Sequence, residues 1–197
     1  LANIDFSTRL PRPDLRSLTM VRIGTSGGLQ PWSPIGTYVA AERAVGFDGV
    51  PYFYAGTERV RDLPLEEALR TQLGWRIDGL RPYAVPADPE LTERIARDDI
   101  ARGITIATCS FYGAQGRSLR LPLADPDLNT KIEAFEHEGR QIGNFEMESA
   151  SLAALAALLG HRALTVCCII AGRVAKNMNV NYKDSIVDLI EKVLERI

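Results

Sequence analysis

The sequence predicts a single-domain α/β fold of three layers, α/β/α, around a twisted, mixed, largely parallel central sheet. Stretches with the pattern of strands and stretches with the pattern of helices follow one another along the chain, which is typical of this class. Residues 163–170 form a continuous apolar run, as expected for a strand that is covered on both faces. No repeat or linker divides the 197 residues, so residues 1–197 are expected to form one domain around one core.

The first half of the chain is expected to begin the sheet. Residues 19–23 alternate between apolar and polar side chains and predict a strand, which runs into a glycine-rich loop at residues 24–28. Residues 37–45 predict a second strand. An Asp-Gly turn then precedes residues 50–54, so a hairpin or a bent strand is expected there.

Helices are predicted in five stretches: residues 65–73, 91–99, 128–136, 151–159 and 183–197. The fourth of these is nearly all apolar, so we expect it to be buried, and Gly160 suits a left-handed cap at its end. Residues 103–109 predict a further strand. Because ligands of open α/β sheets bind beyond the carboxyl ends of strands, the loops that follow the strands are the expected site.

Composition and charge argue against several classes of partner. The formal net charge is −2, so neither nucleic acid nor an anionic membrane surface is expected to bind by bulk charge. No apolar run is long enough to span a bilayer, and the first residues lack the pattern of a secretory signal, so the cytoplasm is the expected location. Cys109, Cys167 and Cys168 lie in apolar runs without metal-ligand spacing, and we expect all three to be small buried hydrophobic residues.

The first candidate motif is the glycine-rich stretch after the first strand. Its backbone N–H groups, the hydroxyls of Thr25 and Ser26, and the guanidinium of Arg22 would suit a phosphate or sugar oxygens. A plain turn is the alternative, and it is the commoner explanation for a short glycine motif.

The second candidate motif follows the strand at residues 103–109. Phe111 offers a ring that can stack on a planar ligand, Gln115 offers a donor and an acceptor side by side, and Arg117 offers a fork of donors. A turn with solvated polar side chains is the alternative.

The third candidate motif places two carboxylates, Glu146 and Glu148, on either side of Met147 and just before the apolar helix. A capping box or a structural ion pair is one explanation. Recognition of a sugar is the other, because paired hydroxyls can both donate to one carboxylate while a methionine packs against the ring.

Taken together and in this order, residues 22–28, 111–117 and 144–150 resemble the three site motifs of the nucleoside phosphorylases and nucleosidases of the trimeric and hexameric class. Within that family the likeness is to the uridine phosphorylases, and it extends from about Ile4 to the C-terminus. The resemblance implies a nucleoside phosphorylase-like fold.

The resemblance assigns base recognition to the second motif. Phe111 is implied to be the packing wall, and Gln115 and Arg117 are implied to read uracil and to stabilise it as it leaves. Purine-specific relatives carry an aspartate in the loop after the last strand, where this chain has Arg173, which would suit a uracil carbonyl.

The other two motifs are implied to hold phosphate and ribose. Arg22 would position the phosphate, and Glu148 would hold the sugar hydroxyls. The full set of residues implied on this side is Arg22, Thr25, Ser26, Gly27, Glu146, Met147 and Glu148.

The function implied is the reversible phosphorolysis of uridine, and of deoxyuridine, in pyrimidine nucleoside salvage. Inorganic phosphate would be the co-substrate, no metal or organic cofactor is expected, and a homo-oligomer, dimer or hexamer, is expected. Two alternatives stay open. A hydrolytic nucleosidase would need a carboxylate in the Arg173 loop, and a non-catalytic nucleoside-binding or storage-type relative is suggested by the front of the chain.

The front of the chain departs from the family. Relatives begin with a further strand, a further glycine-rich phosphate loop with its arginine, and a residue lent to the neighbouring subunit, and none of these is visible in this sequence. The start at Leu1 in mid-domain favours an N-terminally incomplete chain over a protein that has lost part of its phosphate site.

Overall fold

The computed structural model of the chain describes residues 2–172, 177–179 and 181–197. Within these ranges the strands are β1 (Thr19–Gly28), β2 (Tyr38–Gly46), β3 (Tyr83–Pro86), β4 (Ala101–Ala107), β5 (Glu136–His137), β6 (Arg140–Glu146), β7 (Arg162–Gly172) and β8 (Asn177–Met178). The α-helices in the same ranges are α1 (Leu63–Leu73), α2 (Pro89–Ile95), α3 (Leu128–Ala134), α4 (Ser149–Leu158) and α5 (Lys183–Arg196).

The strands pair in the order β3-β2-β4-β6-β1-β7-β8, and β5 adds to β6. β2 also pairs with β7, so the hydrogen bonding that runs from β2 through β4, β6, β1 and β7 returns to β2. The pairs β1–β7, β2–β4 and β4–β6 are parallel. The remaining pairs are antiparallel, so the sheet is mixed, as predicted.

The helices cover the sheet through three buried clusters of side chains. α1 and α3 pack on one cluster together with β4 and β6, and α2 and α5 pack on a second cluster with β7. α4 lies in the third, where its alanines contact Tyr83 and Val85 of β3. The predicted apolar helix is therefore buried on one side against the sheet, and it positions the third motif at its N-terminal end.

The end of α4 confirms the predicted stop. Gly160 has φ 71°, the left-handed conformation that favours glycine, and the N–H of His161 donates to the carbonyl of Ala156 at 2.8 Å. The five predicted helices are all present, with α2 and α3 ending earlier than expected, at Ile95 and Ala134.

The predicted glycine-rich loop at residues 24–28 is wrong, because β1 continues through Gly28. Gly27 and Gly28 pair with β7 on one side and with Phe145 and Asn144 of β6 on the other, and a bulge lies between Ser26 and Gly27. Pairing on both edges therefore overrides the local turn signal. A Cβ on Gly28 would lie 2.1 Å from the carbonyl oxygen of Ser33, so glycine permits this close approach of two backbones.

The predicted strand at residues 50–54 is also wrong. Residues Val50–Phe53 form a 3₁₀ turn instead. Pro51 has no N–H to give to a strand ladder, and Gly49 has φ 73°, so the chain turns here rather than pairing back as a hairpin.

Among the described residues, none of the helices combines the length and the apolar character that crossing a bilayer would require.

Candidate active site

The second motif lies in the loop that follows β4. A short 3₁₀ turn, Gly113–Gln115, folds the loop back, and the N–H of Arg117 closes it on the carbonyl of Tyr112 at 3.0 Å. Gly116 takes φ 70° at the end of this turn. The turn brings the side chains of Gln115 and Arg117, which are two positions apart in the sequence, next to each other.

The Gln115 amide and the Arg117 guanidinium are in direct contact. Gln115 is only 4% exposed, its Nε2 donates to Oγ1 of Thr108 at 2.9 Å, and its Oε1 accepts from Nη1 of Arg117 at 2.6 Å. The guanidinium lies 3.8 Å from the centre of the Phe111 ring, and Nη1 also donates to the Phe111 carbonyl. Burial lowers the pKa of Arg117 from its ordinary value. The structure thus brings together the three residues predicted to recognise a base.

An apolar cavity of about 950 Å³ lies beside this loop. Phe47, Trp75 and Leu121 contribute apolar walls, and Cys109 and Arg117 reach it from the loop. Of the predicted site residues that the structure describes, Arg117 is the one that lines this cavity.

Cys109 is exposed, so the prediction that it is buried is wrong. The reason is that β4 ends at Ala107 and leaves Cys109 in the loop. Cys167 and Cys168 are buried, as predicted.

The third motif turns the chain from β6 into α4. Glu146 is the last residue of β6, and its side chain is only 1% exposed. Its carboxylate accepts from the N–H of Glu148 at 2.9 Å, from the N–H of Ser149 at 3.0 Å and from the Ser149 hydroxyl. These contacts hold the start of α4, whose N-cap residue is Glu148, and they are those of a structural carboxylate. Met147 and Glu148 project outward instead, and the Glu148 side chain is 56% exposed.

Arg22 connects the first motif with the third. Its Nη1 lies 3.0 Å from Oε2 of Glu146, and its Nη2 pairs with Oε2 of Glu148. Nη1 also donates to Sγ of Cys167 at 3.6 Å. Burial by itself would lower the pKa of the guanidinium, but Cys167, Glu146 and Glu148 outweigh it and raise the pKa. The predicted phosphate ligand is thus held by two carboxylates in this structure.

The other residues of the first motif lie inside the sheet rather than in a cradle. The hydroxyl of Ser26 accepts from Nδ2 of Asn144 at 2.9 Å, and Oδ1 of Asn144 accepts from the Thr105 hydroxyl at 2.8 Å. Thr25 and Gly27 are partly buried in β1. The glycines of this motif are therefore residues of a strand and do not form a separate phosphate-binding loop. Arg173, the remaining predicted residue, lies outside the described residues.

Two residues that the sequence interpretation did not single out support the base loop. Thr108 is buried directly after β4, and its N–H donates to the carbonyl of Glu146 at 3.0 Å, which ties the second motif to the third. Asn129 donates from Nδ2 to the Gln115 carbonyl at 3.2 Å. In the sequence, Thr108 looked like one more residue of a strand, and Asn129 like a solvated helix position, so no local pattern marked either.

The chain is similar to known proteins over most of its length. A uridine phosphorylase of Thermococcus kodakarensis is 31% identical over 162 residues, which are 79% of this chain and 49% of that protein. The chain thus spans about half the length of this curated relative.

Solved structures show the same fold. A Trypanosoma brucei nucleoside phosphorylase, described as showing uridine phosphorylase activity, aligns with a TM-score of 0.82 at 23% identity, over 98% of this chain and 72% of that one. A uridine phosphorylase structure from the oomycete Phytophthora capsici aligns with a TM-score of 0.63 at 17% identity, over 91% of this chain and 65% of that one. The mixed α/β fold is therefore nucleoside phosphorylase-like.

The sequence model of the phosphorylase superfamily matches residues 13–197, which is nearly the whole chain. The match includes all three motifs in their order. The chain belongs to the phosphorylase superfamily.

Proposed function

We propose that this chain acts in the phosphorolysis of uridine to uracil and ribose 1-phosphate. The observation that carries the proposal is the contact between the Gln115 amide and the Arg117 guanidinium at the carboxyl end of β4, with the Phe111 ring stacked on the guanidinium. An amide, a guanidinium and an aromatic ring match the edge and the face of a uracil. The relative from Thermococcus kodakarensis is named a uridine phosphorylase, and this name supports the same substrate.

The base-side residues would act on the leaving group. Uracil departs from the anomeric carbon with negative charge spread over its ring, and donors that are already in place stabilise that charge at little cost of reorganisation. Arg117 is a permanent donor, and its partial burial strengthens the interaction by excluding water. Gln115 would fix the ring through one acceptor and one donor.

The sugar and the phosphate would share the Arg22 cluster, which is the guanidinium of Arg22 with the carboxylates of Glu146 and Glu148. Glu148 is the exposed carboxylate and is suited to accept from the ribose hydroxyls, with Met147 beside it against the ring. When the sugar hydroxyls take Glu148, Nη2 of Arg22 loses its carboxylate partner and becomes available to the phosphate. Glu146 keeps the other end of the guanidinium in place, so Arg22 exchanges partners without leaving its position. Held in this way, phosphate would attack with little loss of translational freedom at the barrier.

Phosphate is the only co-substrate in this proposal, and the proposed chemistry requires neither a metal nor an organic cofactor. We also propose that the chain works as a homo-oligomer, since the resemblance implies a residue from a neighbouring subunit at the site. Deoxyuridine belongs to the same proposed substrate class, and the cytoplasm remains the proposed location.

The test is the release of uracil from uridine by the purified chain, with and without phosphate. Release that depends on phosphate, with ribose 1-phosphate as the second product, is the expected result. Release that is equal without phosphate would indicate a hydrolytic nucleosidase, and uridine binding without release would indicate a nucleoside-binding protein. Gln115→Ala is the matched variant, because it removes the proposed base contact and leaves the Arg22 cluster unchanged.

A further inference from the structure

We propose that Asn129 of α3 positions the base loop, residues 111–117, for uracil, and that it does so without stabilising the fold. The inference rests on the proposed function for the class of ligand. Asn129 acts through the main chain of the loop, so it is a positioning residue and not a catalytic one.

The support for the loop is α3. Leu128 and Ile132 hold this helix in the buried cluster that it shares with β4 and β6. Nζ of Lys131 lies 2.7 Å from a carboxylate oxygen of Asp125, whose side chain is only 1% exposed, so an ion pair also ties the helix to the segment before it. Asn129 lies in the first turn of α3, among these contacts. It therefore belongs to an element that the core holds in place.

The Asn129 amide fits against the main chain of the base loop. Its Nδ2 donates to the carbonyl of Gln115 at 3.2 Å. The next residue, Gly116, has φ 70°, and a Cβ there would lie 2.2 Å from Nδ2 and 2.6 Å from Oδ1 of Asn129. The contact thus leaves no room for a methyl group. Because it lies between Gln115 and Arg117, it fixes the main chain that carries both of the proposed base contacts.

The same amide leaves its other polar atom unsatisfied. Oδ1 of Asn129 is buried and has no hydrogen-bond partner among the described residues. A buried acceptor without a partner costs at least as much as one neutral hydrogen bond contributes, so the amide brings the fold no net stability. Proteins tolerate such violations chiefly at functional sites. The structure therefore favours a role for Asn129 in the position of the loop over a role in stability.

Three variants test the contact from both sides. Asn129→Ala removes both polar atoms of the amide. Gly116→Ala places a methyl group where the three nearest atoms all belong to the Asn129 side chain, so in the double variant the methyl takes the space that the amide leaves. The strain of a left-handed alanine is present in both variants that carry it and cancels in the comparison. Thr130→Ala is the matched control, because Thr130 is an exposed residue of the same helix with a similar helix propensity.

The measurements are calorimetric binding of free uracil and thermal unfolding followed by circular dichroism. We expect Asn129→Ala to lower uracil affinity by about fivefold, the typical effect of one neutral hydrogen bond, with Tm within about 4 °C of the parent. Gly116→Ala should lower uracil affinity by about tenfold, and adding Asn129→Ala to it should cause no further loss. Thr130→Ala should bind uracil like the parent.

Several outcomes would overturn the role of Asn129. Unchanged uracil affinity in Asn129→Ala would do so, as would a loss of more than about 4 °C of Tm or a failure of this variant to fold, because the residue would then serve the fold. Losses that multiply in the double variant, to about fiftyfold, would show that the two residues do not act through a shared contact. If Gly116→Ala does not fold, the affinity and Tm of Asn129→Ala decide alone.

The proposed function is tested separately, on the parent chain. A parent that cleaves uridine with phosphate, together with an unchanged uracil affinity in Asn129→Ala, would overturn the role of Asn129 and leave the function standing. A parent that binds uracil without cleaving uridine, together with the expected loss in Asn129→Ala, would support Asn129 and remove the function. A parent that does not bind uracil would overturn both.

Discussion

Replacing Glu146 and Glu148 one at a time by alanine should separate a carboxylate that holds the fold from one that is available to a ligand. The two residues are two positions apart, and both pair with Arg22. Glu146 also accepts from two N–H groups and the hydroxyl at the start of α4, whereas the Glu148 side chain is 56% exposed. We therefore expect Glu146→Ala to destabilise the chain much more than Glu148→Ala.

The magnitudes follow from these contacts. Glu146→Ala removes the acceptor for the first turn of α4, which contributes about 1 kcal/mol in typical helices. It also removes a charge-assisted bond from the partly buried Arg22, at about 2 kcal/mol. The sum is about 3 kcal/mol, and a chain of this size loses roughly 2–4 °C of Tm per kcal/mol, so Tm should fall by about 6–12 °C. For Glu148→Ala, an exposed pair contributes about 1 kcal/mol or less, so Tm should fall by about 4 °C at most.

The assay is thermal and urea unfolding followed by circular dichroism, with the midpoint and the urea slope compared across variants. Glu146→Gln is the control, because its carbonyl oxygen can still accept from the helix while its charge is gone, so its loss should fall between those of parent and Glu146→Ala. Equal losses for Glu146→Ala and Glu148→Ala, or a larger loss for Glu148→Ala, would refute the assignment of Glu146 as the carboxylate that holds the start of α4.

Three further predictions concern the base loop, the sugar contact and the cysteines. Gln115→Ala should lower kcat/KM for uridine by about a hundredfold, as for other preorganised donors, and unchanged kinetics would remove Gln115 from the site. Glu148→Gln should lower the ratio of uridine to deoxyuridine efficiency, because a neutral amide accepts less strongly from a 2′-hydroxyl; an unchanged ratio would make Glu148 structural. A thiol reagent should label Cys109 in the native chain and all three cysteines only after unfolding, and fast labelling of Cys167 or Cys168 would contradict their burial.

One pH dependence also follows from burial. Desolvation raises the pKa of Cys167 to about 12 from the ordinary 9.0 of a free thiol. The folded chain therefore keeps a proton on Cys167 that the unfolded chain loses, so the contribution of this thiol to the free energy of unfolding should be constant below about pH 9 and should fall as the pH rises toward 12. Urea unfolding at a series of alkaline pH values checks this, and Cys167→Ala should fall less steeply over that interval. Parallel slopes in parent and variant would contradict the assignment.

The elements that the sequence predicted well are those whose signal is local. α5 carries apolar side chains at helical spacing, and β7 is a long apolar run, so each pattern reflects one face or one environment. The end of α4 at Gly160 is equally local, because a left-handed cap depends on the residue itself. Patterns of this kind need no knowledge of which elements become neighbours.

The elements that the sequence predicted wrongly depend on neighbours. Gly27 and Gly28 carry a turn signal, and only the strands on both sides of β1 keep them extended. Cys109 continues an apolar run, but β4 pairs only as far as Ala107, opposite Glu146 of β6. Where a strand stops is decided by the length of its partner, which a single segment of sequence does not contain.

The third motif shows the same limit for a functional site. From the sequence, both Glu146 and Glu148 needed a partner, because an unpaired buried carboxylate is costly, and a ligand was one way to supply it. The turn from β6 into α4 buries Glu146 and gives it main-chain N–H groups and Arg22, so its charge is already satisfied within the fold. Glu148 stays exposed, and water can replace Arg22 there at little cost. Glu148, which the fold needs less, is therefore the carboxylate suited to a ligand. The difference between the two glutamates is their burial, and their spacing in the sequence does not reveal it.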